Sequence, residues 1–232
     1  MFKEKYITGD YLAKNPTCGA EHSSWKANNI LKMINKNNLT PNTICEIGCG
    51  FGEILRTLQQ RMDDKCIFWG YDISPQAIDI CNSKANEKLI FNLQDIMEEK
   101  QVYFDLILLI DVIEHLEDYF NFLSEIKGKS QYKIFHIPLD LSINSVLRPW
   151  TLINTRKVFG HIHYFTKDIA IQVLEDMDYE ILDWFYTVHP FEFLRKSVKS
   201  YIMKALQKSL YAINMDFAVR LLGGCSLMIL TR

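Results

Sequence analysis

Cysteine pairs of the C-x-x-C type are missing: Cys18, Cys45, Cys49, Cys66, Cys81 and Cys225 are scattered through the 232 residues. That spacing excludes a zinc knuckle and a dithiol redox motif. It reads instead as small apolar side chains in a reducing compartment. Long apolar runs are missing too. None reaches the roughly 18 residues a membrane-spanning helix needs, and Met1-Phe2-Lys3-Glu4-Lys5-Tyr6 lacks the apolar stretch of a secretory signal. A cytoplasmic location is the expectation. Neither sign of charge dominates: the formal net charge is −2, so no global field favours nucleic acid. There are no internal repeats or low-complexity segments. What remains, 48% hydrophobic and 23% charged residues, suits an α/β chain with a full core.

Short apolar segments alternate with helical periodicity. Thr43–Ile47, Cys66–Ile73, Leu89–Leu93, Tyr103–Asp111 and Lys133–Pro138 read as strands. The fourth is nearly all apolar, as a central parallel strand buried on both faces must be. Helices are expected from Ser23 or Ser24, from about Gly52 to Arg61, from Ser74-Pro75 to about Ala85, over Tyr119–Lys127, and from Thr166 or Lys167 to about Met177. Tyr179–Val188 and Cys225–Thr231 are the last strands, with a helical stretch from Pro190 to about Leu222 between them. Residues 1–20 and 139–165 show little periodicity. Strand–helix alternation at this spacing predicts a doubly wound parallel sheet.

Everything is organised around Glu46-Ile47-Gly48-Cys49-Gly50-Phe51-Gly52. A buried strand ends in an acid, three glycines follow at alternate positions, and a helix begins. Glycine is required where the backbone takes positive φ or approaches a ligand closely. The spacing departs from the G-x-G-x-x-G of dinucleotide-binding units. Asp72, about 20 residues on at the end of the second strand, can accept hydrogen bonds from ribose hydroxyls or cap the helix at Ser74-Pro75.

The pattern E-x-G-x-G-x-G resembles motif I of class I S-adenosylmethionine-dependent methyltransferases, and the resemblance extends over about residues 40–140. It implies a Rossmann-like, seven-stranded mixed sheet with an antiparallel last strand. It implies that Glu46, Gly48, Gly50 and Gly52 surround the methionine end of S-adenosyl-L-methionine, and that Asp111 also contacts the cofactor. Asp72 would bind the ribose, Asp95 the adenine amino group, and Ile73 and Ile96 would sandwich the adenine. Trp25 and Lys26, on a helix that often closes over the cofactor in this family, would pack beside it and pair with its carboxylate, or else be a core anchor and a solvated lysine. The implied layout of 1–232 is a single methyltransferase domain. Its parts are a cap region (1–40), a cofactor-binding half (41–138) and substrate-side insertions (139–165 and 190–222).

Asp111-Val112-Ile113-Glu114-His115-Leu116 resembles the E-H-L segment after strand four in these enzymes, and Gly160-His161-Ile162-His163-Tyr164-Phe165-Thr166 their histidine-aromatic-threonine element. Together they are similar to the E-x-x-E-H cluster of small-RNA 3′-terminal and quinone-ring O-methyltransferases. That likeness implies a divalent cation (Mn²⁺, Fe²⁺ or Mg²⁺) on Asp111, Glu114, His115 and His161. Without metal, His161 or His163 is the expected general base, then His115, since imidazole can take a proton at neutral pH. His136 is expected to be structural.

The expected reaction is O-methylation of a small polar metabolite such as a sugar, sugar phosphate or nucleotide-activated polysaccharide precursor. Arg148, Arg156 and Lys157 would suit an anionic group. RNA-terminal or quinone-ring methylation, or a non-catalytic partner role, are the alternatives. A monomer or homodimer is expected, and 190–222 would be a lid, a dimer face, a membrane-surface helix or plain packing.

Overall fold

The structure, a computed structural model, describes residues 3–188 and 208–232. Seven strands form one sheet in the order β3-β2-β1-β4-β5-β7-β6. They are β1 (Thr43–Ile47), β2 (Ile67–Asp72), β3 (Leu89–Leu93), β4 (Phe104–Ile110), β5 (Ser130–Pro138), β6 (Ile181–Val188) and β7 (Cys225–Thr231). β1 to β5 pair in parallel, and β7 runs antiparallel to both β5 and β6. This is the seven-stranded mixed sheet, with an antiparallel last strand, that the sequence resemblance implies.

Alternation along the strands divides the core in two. Ile44, Phe68, Leu106, Leu108, Ile134, Met228 and Leu230 face α3 (Ser23–Lys36), α4 (Glu53–Gln59) and α5 (Pro75–Asn82). Cys45, Ile107, Leu109, Phe135, Leu227 and Ile229 face α6 (Tyr119–Lys127), α9 (Lys167–Asp176) and α11 (Met215–Leu222). β4 has five buried residues in a row at its end, as its unbroken apolar run predicts. Residues 208–213 form a further helical piece, α10, parted from α11 by Asn214, whose side chain caps the latter. The long helix expected over 190–222 therefore falls partly outside the described residues and is broken where it is described.

Two stretches that lack periodicity are nonetheless helical. Residues 1–20 hold α1 (Glu4–Ile7) and α2 (Asp10–Lys14), and Ala20–His22 is a 3-10 turn. The insertion after β5 holds α7 (Ile143–Leu147) and α8 (Pro149–Val158). Helices of four or five residues are too short to show a repeat of 3.6, and the ten-residue α8 has no buried face to give one. The serines expected to cap α3 do not: it follows His22, which supplies no side-chain cap.

Gly52 is placed by packing. Its φ is +71°, and a Cβ there would lie 2.5 Å from the Phe91 ring and 3.2 Å from Cys81 Sγ. The same ring would meet a Cβ on Gly70 at 2.6 Å. Phe91 is thus wedged against two glycines, and Gly52 does not line the cavity described below. Gly52→Ala combines left-handed strain with overpacking. It should cost about 3 kcal/mol in urea unfolding, against a near-neutral Gly128→Ala control, where a Cβ meets nothing within 4 Å.

Candidate active site

The carboxyl ends of β1, β2, β4 and β5 open into a cavity of about 840 Å³, at the point where strand order reverses between β1 and β4. Ligands of open α/β sheets bind there. Gly48 (φ +71°) and Gly50 (φ +52°) turn the chain from β1 into α4 along its floor. A side chain at Gly48 would press on Val112, 3.3 Å away.

Glu46 lines this cavity while only 2% exposed, and its Oε2 has no hydrogen-bond partner. Burial pushes its carboxyl well above the usual range, against the pull of Lys26. An orphaned, buried carboxyl oxygen facing a cavity is complementary to a cationic group. Asp72 is shaped by the loop it follows. Its Oδ2 accepts the Gly50 N–H and its Oδ1 the Ser74 N–H, both at 2.8 Å. The helix cap expected of Asp72 is instead Ser74, whose side chain accepts from Ala77 N–H; the Asp72 carboxylate fastens the glycine loop and keeps further lone pairs. Ile73, Asp95 and Ile96 also line it. Asp95 caps the turn at Ile96–Glu98 through Met97 N–H, and its other oxygen holds Lys3 Nζ at 2.6 Å.

That lysine belongs to a strap across the mouth. Tyr6, Tyr11, Leu12, Asn15 and Cys18 line the cavity from the N-terminal segment. Gln76 donates to the Ile7 carbonyl at one end, and Asn15 donates to the Val158 carbonyl at the other (2.9 Å). The Tyr6 and Tyr11 rings are 4.8 Å apart, and both meet His115 edge-on.

Asp111, just past β4, has φ +57°, uncommon and strained for a residue with a side chain. One oxygen meets Lys26 Nζ at 2.7 Å and the other accepts from His136 Nδ1 at 2.5 Å. Burial alone would raise its pKa, but Lys26 and His136 hold it far below the carboxylate range. His136 reaches on to Thr187 Oγ1 at 2.8 Å and packs edge-on against Trp25. Lys26 is thus paired within the fold rather than solvated, and Trp25 and Lys26 both line the cavity. Asp111 is committed to this network and is not among the donors brought together for a metal.

Glu114, His115 and His161 are brought together, with one donor atom from each within 4.8 Å of the others. Glu114 is fully buried behind the two imidazoles, neither of its oxygens is hydrogen-bonded although His115 Nε2 lies 3.9 Å from one of them, and burial and the Asp111 charge raise its pKa. His115 donates Nδ1–H to the Gly160 carbonyl. Burial and neighbouring His161 push its pKa down to about 3, so it is neutral at pH 7. His161 Nδ1 bonds Asp140 Oδ2 at 2.6 Å, which turns Nε2 toward the site. His163 points elsewhere: Nε2 donates to the Leu116 carbonyl, its ring packs on Tyr119, and it does not line the cavity. Arg148, Arg156 and Lys157 also lie outside the wall. Sequence reasoning missed Asp140, although an acid two residues past the end of β5 was a findable signal, and it missed Tyr6 and Tyr11 in a segment without pattern.

A family model described as a methyltransferase domain matches residues 23–183. Among curated proteins, ajmaline N-methyltransferase of Rauvolfia serpentina is 25% identical over 192 residues, 72% of this chain; the match spans 65% of that protein's length. Magnesium protoporphyrin IX methyltransferase of Synechocystis PCC 6803, solved with S-adenosylhomocysteine (SAH), superposes with a TM-score of 0.59 at 15% identity, over 90% of this chain and 82% of that one. N-methyltransferase NodS of Bradyrhizobium japonicum WM9, also with SAH, gives 0.55 at 16%, over 89% and 85%. These two superpositions establish the shared fold.

The Asp111 network makes a testable demand. Breaking a largely buried pair leaves an unmatched charge, so Asp111→Asn should cost about 3 kcal/mol in chemical denaturation. Because Lys26 acts through the same contact, Lys26→Met combined with Asp111→Asn should cost less than the sum of the two single changes.

Proposed function

The chain belongs to the methyltransferase domain family of class I S-adenosylmethionine-dependent enzymes, and on that premise we propose that it methylates an oxygen or nitrogen of a small acceptor held beneath the strap. The observation that carries the reading is the orphaned Glu46 oxygen at the floor of the cavity. The methionine end of the cofactor supplies an ammonium that matches it, and Lys26, while paired with Asp111, has further N–H donors for the accompanying carboxylate. Gly48 and Gly50 let the loop backbone approach. Asp72 offers its remaining lone pairs to ribose hydroxyls. Ile73 and Ile96 would flank the adenine, with Asp95 at its amino edge once Lys3 shares or yields that oxygen.

When bound, the cofactor supplies an electrophilic methyl on a sulfonium, itself the leaving group, so no covalent enzyme intermediate is needed. The chain's task is alignment and exclusion of water. Tyr6, Tyr11, Phe159, His115 and His161 form the acceptor wall. With Nδ1–H engaged by Asp140, His161 can take the acceptor proton at Nε2. An aromatic wall with no arginine among the described residues favours an acceptor with a planar or apolar body over the phosphorylated sugar that the basic residues implied. The layout of a cap over 1–40, a cofactor half over 41–138 and an acceptor side beyond 139 belongs to this proposal, as does cytoplasmic residence; no described helix is long and apolar enough to cross a membrane.

A second reading rests on Glu114. Two imidazoles and a buried carboxylate with both oxygens unpartnered fit a divalent ion, Mn²⁺ or Fe²⁺ better than Mg²⁺, which would bind and polarise an acceptor oxygen.

Calorimetry with SAH tests the first reading. Micromolar binding is expected, weakened about tenfold or more by Glu46→Gln and by Asp72→Asn, each of which removes a charge-assisted contact. No binding to the folded wild type would overturn it. Titration with Mn²⁺ tests the second: a one-site isotherm abolished by Glu114→Gln supports the ion, and its absence leaves His161 as the base.

A further inference from the structure

The helix α8 is ten residues long and buries none of them. A helix in a water-soluble fold normally earns its place by covering core with one face; this one does not. Leu147 just before it is 74% exposed and Trp150 in its first turn 63%, with Ile143, Val146 and Ile153 also more than half exposed. Five large apolar side chains thus lie within eleven residues of sequence on two touching helices. An apolar patch of this kind marks an interaction surface.

Charge decides what kind. From Leu141 to Lys167 the chain carries no aspartate or glutamate, while Arg148, Arg156 and Lys157 are all exposed. The strap adds Lys5 and Lys14, close enough to one another and to Arg156 for their charges to depress the Lys5 pKa alongside burial. Aliphatic side chains, a tryptophan and cationic residues on a stretch that itself carries no acid are the pattern of a segment that lies in a bilayer interface, although the strap beside it also carries exposed Glu4 and Asp10. Anionic headgroups complement the cations and acyl chains accept the apolar side chains.

We propose that α7 and α8 form a docking surface for an anionic lipid bilayer, on which the protein lies without spanning it. The surface borders the acceptor side of the cavity: Phe159 and His161, immediately after α8, line its wall, and Asn15 of the strap is bonded to the last residue of α8. Docking therefore places the mouth at the lipid interface, where an acceptor with an apolar body resides.

The test is flotation of the full chain with vesicles. Phosphatidylcholine containing about 30% phosphatidylglycerol is compared with phosphatidylcholine alone, in low and in about 0.5 M salt. The protein should float with the anionic vesicles and lose about tenfold or more on neutral ones or in high salt. Leu147→Ser/Trp150→Ser and Arg148→Glu/Lys157→Glu should each lose about tenfold while keeping the wild-type thermal midpoint and SAH affinity. No flotation of the folded wild type, or flotation unchanged in both variants, would overturn the proposal. So would a dimer in sedimentation velocity that the Leu147→Ser/Trp150→Ser change makes monomeric, since the face would then belong to a second copy. Vesicle binding and SAH binding are separate readouts, so failure of one leaves the other standing.

Discussion

The contact on which the site depends is the carboxylate of Asp111 between Lys26 and His136. It ties the first long helix to the ends of β4 and β5, and through Thr187 to β6. Its backbone is held in a left-handed conformation that a side-chain-bearing residue adopts at a cost. That turn directs Val112 against Gly48 and sends the following segment, with Glu114 and His115, beneath the His161 loop. The Ile162 and His163 amides close the arrangement by donating to the Glu114 carbonyl. Cofactor floor and acceptor wall therefore share one electrostatic joint.

Around that joint lie carboxyls in contrasting states. Asp111 is held ionised by Lys26 and by its hydrogen bond to His136, whereas burial favours the neutral forms of Glu46 and Glu114. Such a split is common where titratable groups serve a ligand rather than the fold. The two orphaned carboxyls face different tasks: Glu46 looks into the cavity that the glycine loop shapes, while Glu114 backs two imidazoles on the acceptor side.

Much of this was readable in the sequence, because strong periodicity and turn chemistry leave few alternatives. β3, α6 and β7 run from Leu89, Tyr119 and Cys225 as the pattern predicts, and the acid-glycine loop lies where its spacing puts it. What stayed hidden has physical causes. Asp111 looked like a metal ligand because spacing along a chain does not show which way a left-handed turn sends its side chain. As candidate bases His161 and His163 were equivalent on paper, and their Asp140 and Leu116 partners distinguish them. Gly52 matched a motif yet is needed for the Phe91 ring, a contact made from across the sheet. The strap and α7 are pieces too short for any repeat to register, and α8 buries no face, so it carries no apolar stripe to read.

The most direct test of the account is a crystal structure of the full chain with SAH. The account predicts the amino group of the homocysteine against Glu46, the ribose on Asp72 and the adenine between Ile73 and Ile96. The sulfur should face the wall of Tyr6, Tyr11 and His161. Density for the ligand anywhere else, or a Glu46 oxygen still without a partner in the complex, would contradict it.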